Sequence, residues 1–326
     1  MKILMFGAGV ISTIYGHAFR QSGYEVFHYV KPNKIDELKN GVQLHLLDSR
    51  KSNPHIQNYK PLLIDELPSL EEFDLVVVSL RHYQLESVLP LLAEKLGKAD
   101  ILFFNHLWED TSLIEKYIQK GQYIWGFPNA GGGFYHLPHL TLKGSLMDSI
   151  ILGEMNGDQS DKLMRLTNIF QQADIKVKVQ KNMQHWLWKQ FALNAGISSM
   201  AVKSGGMDEL LSSLPKIRQA VLCIREALDV CKARGVNVKE FPEAKAFYLP
   251  SWLAAIAFWG VTMTNKQQRE IFKAYNHMDE IQMIYNDIIK TAKELNVPVP
   301  KLEGISVEMK KIKLDINEKK VSQTIV

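Results

Sequence analysis

Lys2-Ile3-Leu4-Met5-Phe6 runs directly into Gly7-Ala8-Gly9-Val10-Ile11-Ser12, and this junction decides how the rest of the 326-residue chain is read. The first five residues form an apolar run suited to a buried strand, and residues 12–22 follow at helical spacing. A glycine turn between a strand and a helix is where a dinucleotide fingerprint belongs. The first glycine permits the tight turn, and the second lets a pyrophosphate approach the backbone. The phosphates then lie at the positive end of the helix. Ser12 stands where the fingerprint has its third glycine, and serine is small enough for the close helix–strand packing needed there. Gly7, Ala8, Gly9, Val10, Ile11 and Ser12 are therefore the expected cofactor-binding turn.

Outward from that turn, apolar runs alternate with amphipathic stretches. Residues 25–29 (EVFHY), 75–80 (LVVVSL), 101–104 (ILFF) and 123–126 read as further strands, the last two each after a helical stretch. The β-branched run at 75–80 is of the kind that a parallel strand buried on both faces shows. The rhythm predicts a parallel sheet with right-handed crossovers. After Phe127 the pattern changes. Asn129-Ala130-Gly131-Gly132-Gly133 reads as a flexible loop, and residues 140–142, 149–152 and 176–179 read as strands. From about Asn182 the helical period dominates, with helices expected at 183–200, 216–234, 243–263 and 267–295. The expected fold class is α/β: an N-terminal Rossmann domain with a parallel-sheet core at 1–180, then an all-α C-terminal domain at 181–326 for substrate and dimerisation, with the boundary near Gln180. Residues after about Asn317 read as a tail.

The end of the second strand selects the cofactor. An acidic residue there would hold the ribose 2′-hydroxyl of NAD. Here the strand ends Tyr29-Val30-Lys31 with Lys34 beyond, and a cation suits the 2′-phosphate of NADP, which is the expected cofactor.

Composition sets the class. With 46% hydrophobic and 23% charged residues the chain reads as an ordinary globular protein. The net charge is +4, and part of the excess lies in Lys310, Lys311, Lys313, Lys319 and Lys320. These read as a solvated helix end and tail. No stretch interleaves aromatics with cations as a nucleic-acid surface does, so no nucleic-acid partner is expected. Cys223 and Cys231 are the two cysteines and form no disulfide framework. That pattern and an opening Met1-Lys2 without room for a signal peptide predict a reducing, cytoplasmic setting. Residues 246–265 hold no charge, a length that raises the question of a membrane span, but Pro250, Ser251 and Gly260 interrupt it. The stretch reads as a buried helix of the second domain, and it would serve a homodimer interface as readily as a core. His136 and His139 suggest a metal pair, but Pro138 breaks the helix that would align them, and no metal is expected.

Together these residues resemble the ketopantoate reductase (2-dehydropantoate 2-reductase) family over most of the chain. The opening KILMFGAGVISTIYGHAF is similar to that family's start. So is LVVVSLRHYQL at 75–85, where Arg81 takes the place of a lysine near cofactor and substrate. Asn105 matches an asparagine that contacts nicotinamide and substrate, and the segment from Gly126 to Gly132 resembles a divergent branch, which adds Gly131 to the expected cofactor contacts. The family motif W-x-K-L-x-x-N, followed by N-P-L-T, resembles the stretch from Trp188 to Asn194. The lysine of that motif donates a proton to the keto oxygen as hydride arrives. Here Gln190 falls on the lysine position, Lys189 is one residue away, or about 100° around a helix, and Ser198 stands where the later asparagine would be.

The resemblance implies an NADP-dependent reduction of a small 2-oxo acid, ketopantoate to pantoate, in a cleft between the domains. Hydride addition creates an alkoxide, so a proton donor or positive charge is required at the oxygen. Lys189 is the expected proton donor and His277, three residues before Glu280, a second candidate. Glu280 matches the glutamate of the family's T-E-I-D and is expected at the cofactor site. Asn105, Arg81, Asn194 and Ser198 are the expected substrate contacts. Two other readings stay open: an opine- or hydroxy-acid-type dehydrogenase of another substrate, and a non-catalytic NADP-binding sensor.

Overall fold

The computed structural model describes residues 1–51, 55–155, 157, 160–274 and 277–311. Lys313, Lys319, Lys320 and the expected tail lie outside them. The chain divides into two compact units, Met1–Gln184 and a second that begins at His185, a few residues beyond the division expected near Gln180.

In the first unit, strand β1 (Lys2–Phe6) leads into helix α1 (Val10–Gln21), β2 (Glu25–Tyr29), α2 (Pro32–Leu38), β3 (Val42–Asp48), β4 (His55–Tyr59) and β5 (Leu62–Ile64). Then come β6 (Leu75–Val78), α3 (Leu85–Lys95), β7 (Asp100–Phe103), α4 (Ser112–Glu115) and β8 (Tyr123–Phe127). The unit closes with β9 (Ala130–Leu137), β10 (His139–Leu146), β11 (Ser149–Gly153), α5 (Asp161–Gln172) and β12 (Lys176–Val179). The main sheet is eight-stranded, in the order β12-β11-β8-β7-β6-β1-β2-β5. Every neighbouring pair in it is parallel except β8 with β11. This is the Rossmann arrangement that the β-α-β rhythm predicts. β6 is buried along its whole length, as a strand covered on both faces must be. Helix α1 presses Ile14, Tyr15, Ala18 and Phe19 into the core, where the Tyr15 ring lies 5.2 Å from Phe104 and Phe19 lies 5.2 Å from Phe170. Such offset and edge-on aromatic contacts add to the stabilisation that burial alone provides.

Two expectations change here. Residues 42–64 hold three strands that the rhythm does not announce. β3 and β4 join β10 and β9 in a second, four-stranded sheet, order β4-β3-β10-β9. The residues of β3 alternate buried and half-buried, the period-two pattern of a strand with one face on a core. The glycine run at 129–133 is not a flexible loop: Gly131, Gly132 and Gly133 lie within β9, paired with Ser145, Gly144 and Lys143. A Cβ on Gly132 would stand 2.4 Å from the Lys143 carbonyl oxygen, so the glycines serve close strand approach rather than freedom.

The second unit is helical. Helix α6 (Met183–Ser204) enters it and is followed by α7 (Met207–Leu211), α8 (Leu214–Ala233), α9 (Pro242–Ala246), α10 (Ser251–Thr264), α11 (Lys266–Ala274), α12 (Met278–Glu294) and α13 (Pro300–Glu303). Two of the expected long helices are broken. Pro250 caps α10 and separates it from α9, and a second break separates α11 from α12. Cys223 and Cys231 are both buried and free on α8, where burial pushes each thiol up to about 12.

Helix α10 corrects a third expectation. It is not buried. Ala254, Ala255 and Thr262 face inward, while Trp252, Leu253, Ile256, Trp259, Val261 and Met263 are exposed, Trp252 to 56% and Val261 to 57%. No helix among the described residues is long and apolar enough to cross a membrane.

Candidate active site

The turn after β1 has the conformation its sequence demands. Gly7 adopts φ +109°, a backbone region that side chains disfavour, and its N–H donates to the Tyr29 carbonyl at 2.9 Å. Gly9 caps α1 in an extended conformation, and a Cβ placed on it would meet nothing within 4 Å. The first turn of α1 carries no acidic residue, so open space faces the positive end of a helix. Ser12 is fully buried, and its hydroxyl has no hydrogen-bond partner among the described residues. Ala8, Val10 and Ile11 turn their side chains onto the core, leaving their backbone to form the turn. An open cradle over Gly9 and free helix amides fit a pyrophosphate.

Sequence reasoning missed a residue that holds this turn. His28 on β2 is fully buried, with Nδ1 3.0 Å from the Gly7 carbonyl oxygen and Nε2 2.8 Å from the Tyr59 hydroxyl on β4. A neutral imidazole protonated on Nδ1 satisfies both bonds: it donates to Gly7 and accepts from Tyr59. Burial pushes its pKa down to about 4, which keeps it neutral. The visible signal was a histidine at an inward position of EVFHY.

The same sheet edge gathers other expected residues. Asn105 follows β7 and is buried. Its Nδ2 donates to the Leu80 carbonyl, its own carbonyl accepts from Trp125 Nε1 at 2.7 Å, and its Oδ1 is buried without a partner. The amide is thus oriented from one side, leaving an acceptor unused. Arg81, the next residue after Leu80, is half-buried, and its guanidinium donates to the Tyr83 hydroxyl at 2.8 Å. A Cβ on Gly7 would lie 3.9 Å from the Leu80 side chain, so the glycine turn and the ends of β6 and β7 are neighbours at the carboxyl edge of the sheet. This is where α/β sheets bind ligands. Lys31 caps the start of α2, exposed, two residues after Tyr29, which is paired with Phe6. Lys34 is instead engaged with Glu37 at 2.5 Å. Gly131 is not gathered into this edge; it lies in β9 of the second sheet, paired with Ser145.

In the second unit, Gln190, Asn194 and Ser198 follow one another at helical i, i+4 spacing on α6. Gln190 Nε2 lies 3.4 Å from Asn194 Oδ1, and the Ser198 hydroxyl donates to the Asn194 carbonyl at 2.5 Å. Gln190 and Asn194 are half-buried, whereas Ser198 is buried. Lys189 adjoins this stripe, with Nζ 3.4 Å from Gln190 Oε1. Its side chain is 1% exposed, and Nζ sits 2.6 Å from Glu243 Oε1, with the Trp186 ring centre at 4.2 Å and Phe241 at 5.4 Å. Burial holds its pKa below the usual lysine value, with Glu243 pulling the other way. Glu280 is buried in the first turn of α12, where a carboxylate suits the helix dipole. His277 caps the same helix but is exposed, so the expected pair does not share one environment. His136 and His139 lie exposed where β9 turns into β10.

Similarities to known proteins agree with this geometry. The family profile described as ketopantoate reductase PanE/ApbA matches residues 3–156, and the profile of its C-terminal part matches residues 182–313. An uncharacterized oxidoreductase, YkpB of Bacillus subtilis (strain 168), is 22% identical over 94% of this chain and 96% of its own length. Among solved structures, a ternary complex of D-mandelate dehydrogenase with NADH and anilino(oxo)acetate superposes with a TM-score of 0.74 at 15% identity, covering 97% of this chain and 99% of that one. A dimeric ketopantoate reductase from Staphylococcus aureus superposes at 0.68 with 12% identity, covering 97% and 99%. At such identities the structural likeness speaks for the fold. With family profiles matched across both units, the chain belongs to the ketopantoate reductase family.

Proposed function

We propose that this chain is an NADP-dependent reductase of a small 2-oxo acid. The observation that carries the reading is the carboxyl edge of the main sheet, where an open cradle over Gly9 adjoins an Asn105 amide with an unused acceptor. A bound nicotinamide supplies hydride to the carbonyl carbon. In this reading the amides at the start of α1 hold the pyrophosphate, and Lys31 takes the 2′-phosphate. Asn105 orients nicotinamide and carbonyl, Arg81 takes a substrate carboxylate, and Glu280 closes the cofactor site. Gln190, Asn194 and Ser198 present polar groups to the substrate. Gln190 stands where the family has its lysine and steadies the developing oxyanion by hydrogen bonding, supplying no proton. Lys189, the expected proton donor, is buried and paired with Glu243 over the Trp186 ring beside Gln190, so its role in the proposal is to hold α6 to the segment around Glu243. Donation by Lys189 requires that pair to open.

Reduction of ketopantoate would place the chain in pantothenate biosynthesis. The Gln190 position favours a second reading, a hydroxy-acid dehydrogenase of another substrate, for which D-mandelate dehydrogenase is a fold neighbour. Two free, buried thiols support a cytoplasmic setting. We extend to this chain the pairing of the dimeric S. aureus relative.

The test is the loss of reduced-nicotinamide absorbance with ketopantoate and a panel of 2-oxo acids, alongside NADPH and NADH binding by fluorescence. Turnover with tighter NADPH binding is expected. Binding with no turnover of any 2-oxo acid sinks the enzyme reading in favour of a sensor, and tighter NADH binding sinks the cofactor assignment.

A further inference from the structure

We propose that His106 is the acid that protonates the substrate oxygen. The inference rests on the reductase reading and deepens it, since that reading leaves the proton without a source. Hydride reduces the 2-oxo acid by forming a C–H bond at the carbonyl carbon, the π pair moves onto oxygen, and the nicotinamide is oxidised. A proton must then form the O–H bond. The groups already placed at the site do not supply it. Gln190 and Asn105 carry neutral amides, and the Arg81 guanidinium keeps its protons at any working pH. The Tyr83 hydroxyl accepts from Arg81 at 2.8 Å, and a phenol holds its proton well above neutral pH. The Lys189 ammonium is held by Glu243 over the Trp186 ring. Imidazolium is the side-chain acid whose ordinary titration range spans neutral pH.

The fold puts one imidazole at the carboxyl edge of the main sheet. Phe104, Asn105, Leu107 and Trp108, where the chain leaves β7, are all buried, and His106 among them is half-buried. Its backbone is held on both sides. The Asn105 carbonyl accepts from Trp125 Nε1 at 2.7 Å, and the buried Leu107 and Trp108 anchor the chain beyond. Its ring is held by Phe127 at the end of β8. Gly126 faces Phe104, where a Cβ would stand 2.6 Å from that ring, so Phe127 points to the opposite face of the strand. There it meets His106, with ring centres 5.6 Å apart and planes at 64°. Such an edge-on contact fixes the plane of the imidazole. His106 directly follows Asn105, whose unpartnered Oδ1 belongs to the same edge. In the sheet order β7 lies two strands from β1, about 10 Å at ordinary strand spacing. A dinucleotide with its pyrophosphate on the turn after β1 spans that distance. The charged groups of this edge are Arg81 beyond β6 and the exposed Glu109 and Asp110 along the same loop, where Asp110 accepts from the Ser112 N–H at 2.9 Å.

The test compares the natural full chain with His106→Gln and His106→Gly, using NADPH and the 2-oxo acid of highest turnover. His106→Gln keeps a hydrogen bond but removes the acid, so kcat should fall at least ~100-fold while KM stays within about threefold. NADPH affinity and melting temperature should hold in both variants, which separates lost chemistry from lost folding. Added imidazole should raise the kcat of His106→Gly at least ~tenfold, because it returns an acid to the vacated space. A binding measurement makes the same comparison without turnover. Oxamate, an analogue of a 2-oxo acid, should take up about one proton at roughly pH 8 when it binds the natural chain with NADPH, and none with His106→Gln. Calorimetry in buffers of different ionisation enthalpy reads that uptake. A kcat that survives in His106→Gln, a loss that imidazole does not restore, or equal proton uptake in both chains overturns His106 as the acid and leaves the reductase reading standing. A natural chain that neither turns over a 2-oxo acid nor binds oxamate overturns both.

Discussion

The turn at residues 7–12 is made of backbone, whereas the polar stripe on α6 is made of side chains, and the two have held to the family pattern unequally. The turn keeps everything that matters to a pyrophosphate: a positive φ at Gly7, space over Gly9 and free amides at the start of α1. The side chains of Ala8, Val10 and Ile11 pack onto the core, so the exposed surface of the turn is backbone. On α6 the chemistry depends on which atom tops each side chain. There Gln190 stands at the position that resembles the family's lysine, and the buried ammonium of Lys189 is held by Glu243 at 2.6 Å over the Trp186 ring, with Gln190 Oε1 at 3.4 Å. A binding function built from backbone tolerates divergence that a proton-transfer function built from one ammonium does not.

The sharpest way to break the comparison is at the turn. Gly9→Asp puts a carboxylate into open space, so the fold should stand, while NADPH affinity falls at least ~100-fold, about 3 kcal/mol, measured by fluorescence titration. An unchanged affinity would move the nucleotide away from α1. The next effect is at Lys189. Lys189→Ala removes a fully buried side chain and should cost about 2–4 kcal/mol of stability, read as a lowered melting temperature. Lys189→Met keeps the volume and should retain both stability and turnover. If Lys189→Met folds, binds NADPH and yet turns over nothing, then Lys189 is the proton donor after all and the contrast between turn and stripe collapses.

Acid probes the grip of His28 on the turn. Its folded pKa, about 4, lies below the ordinary histidine value of 6.5. The unfolded chain therefore binds the proton first, and stability is full above pH 6.5 and falls as pH drops from 6.5 towards 4. The loss is at most about 3 kcal/mol at the acid end. His28→Asn, whose amide can still donate to the Gly7 carbonyl, should flatten that slope by one proton in melting temperature against pH. A slope that is unaltered in His28→Asn locates the titrating group elsewhere. Gln190→Lys sharpens the contrast from the other side, since it returns an ammonium to the half-buried stripe. Turnover of ketopantoate should rise about tenfold, or ~1.4 kcal/mol in the barrier. A fall in turnover would point to a substrate that needs the neutral amide. The smallest effect is at Lys31, an exposed residue. Lys31→Ala should reduce the preference for NADPH over NADH by about 1 kcal/mol, roughly fivefold, with NADH binding unchanged.

Much of this architecture was legible residue by residue. The turn at Gly7, the buried run at 75–78 and the strands at 101–103 and 123–127 declare themselves because each signal lies within a few consecutive residues. The second sheet was less legible. β3 pairs in parallel with β10, nearly a hundred residues away, and nothing local announces that partner. The glycines at 131–133 look like loop residues by composition, and only the approach of β10 explains them as strand. His28 looked like any strand residue until Tyr59 and the Gly7 carbonyl closed around it.

By itself, then, the sequence determined the Rossmann order of elements, the glycine turn between β1 and α1 and the position of Asn105 behind its strand. All of these depend on the period of the chain or on residue identity at a fixed offset. Only the tertiary structure decided where Lys189 points and which apolar run is core. Residues 246–265 are apolar enough for either fate, and hydrophobicity is non-directional: it says that α10 seeks cover and not from what. The rest of the second unit buries only one side of α10, and that arrangement belongs to helices distant in sequence.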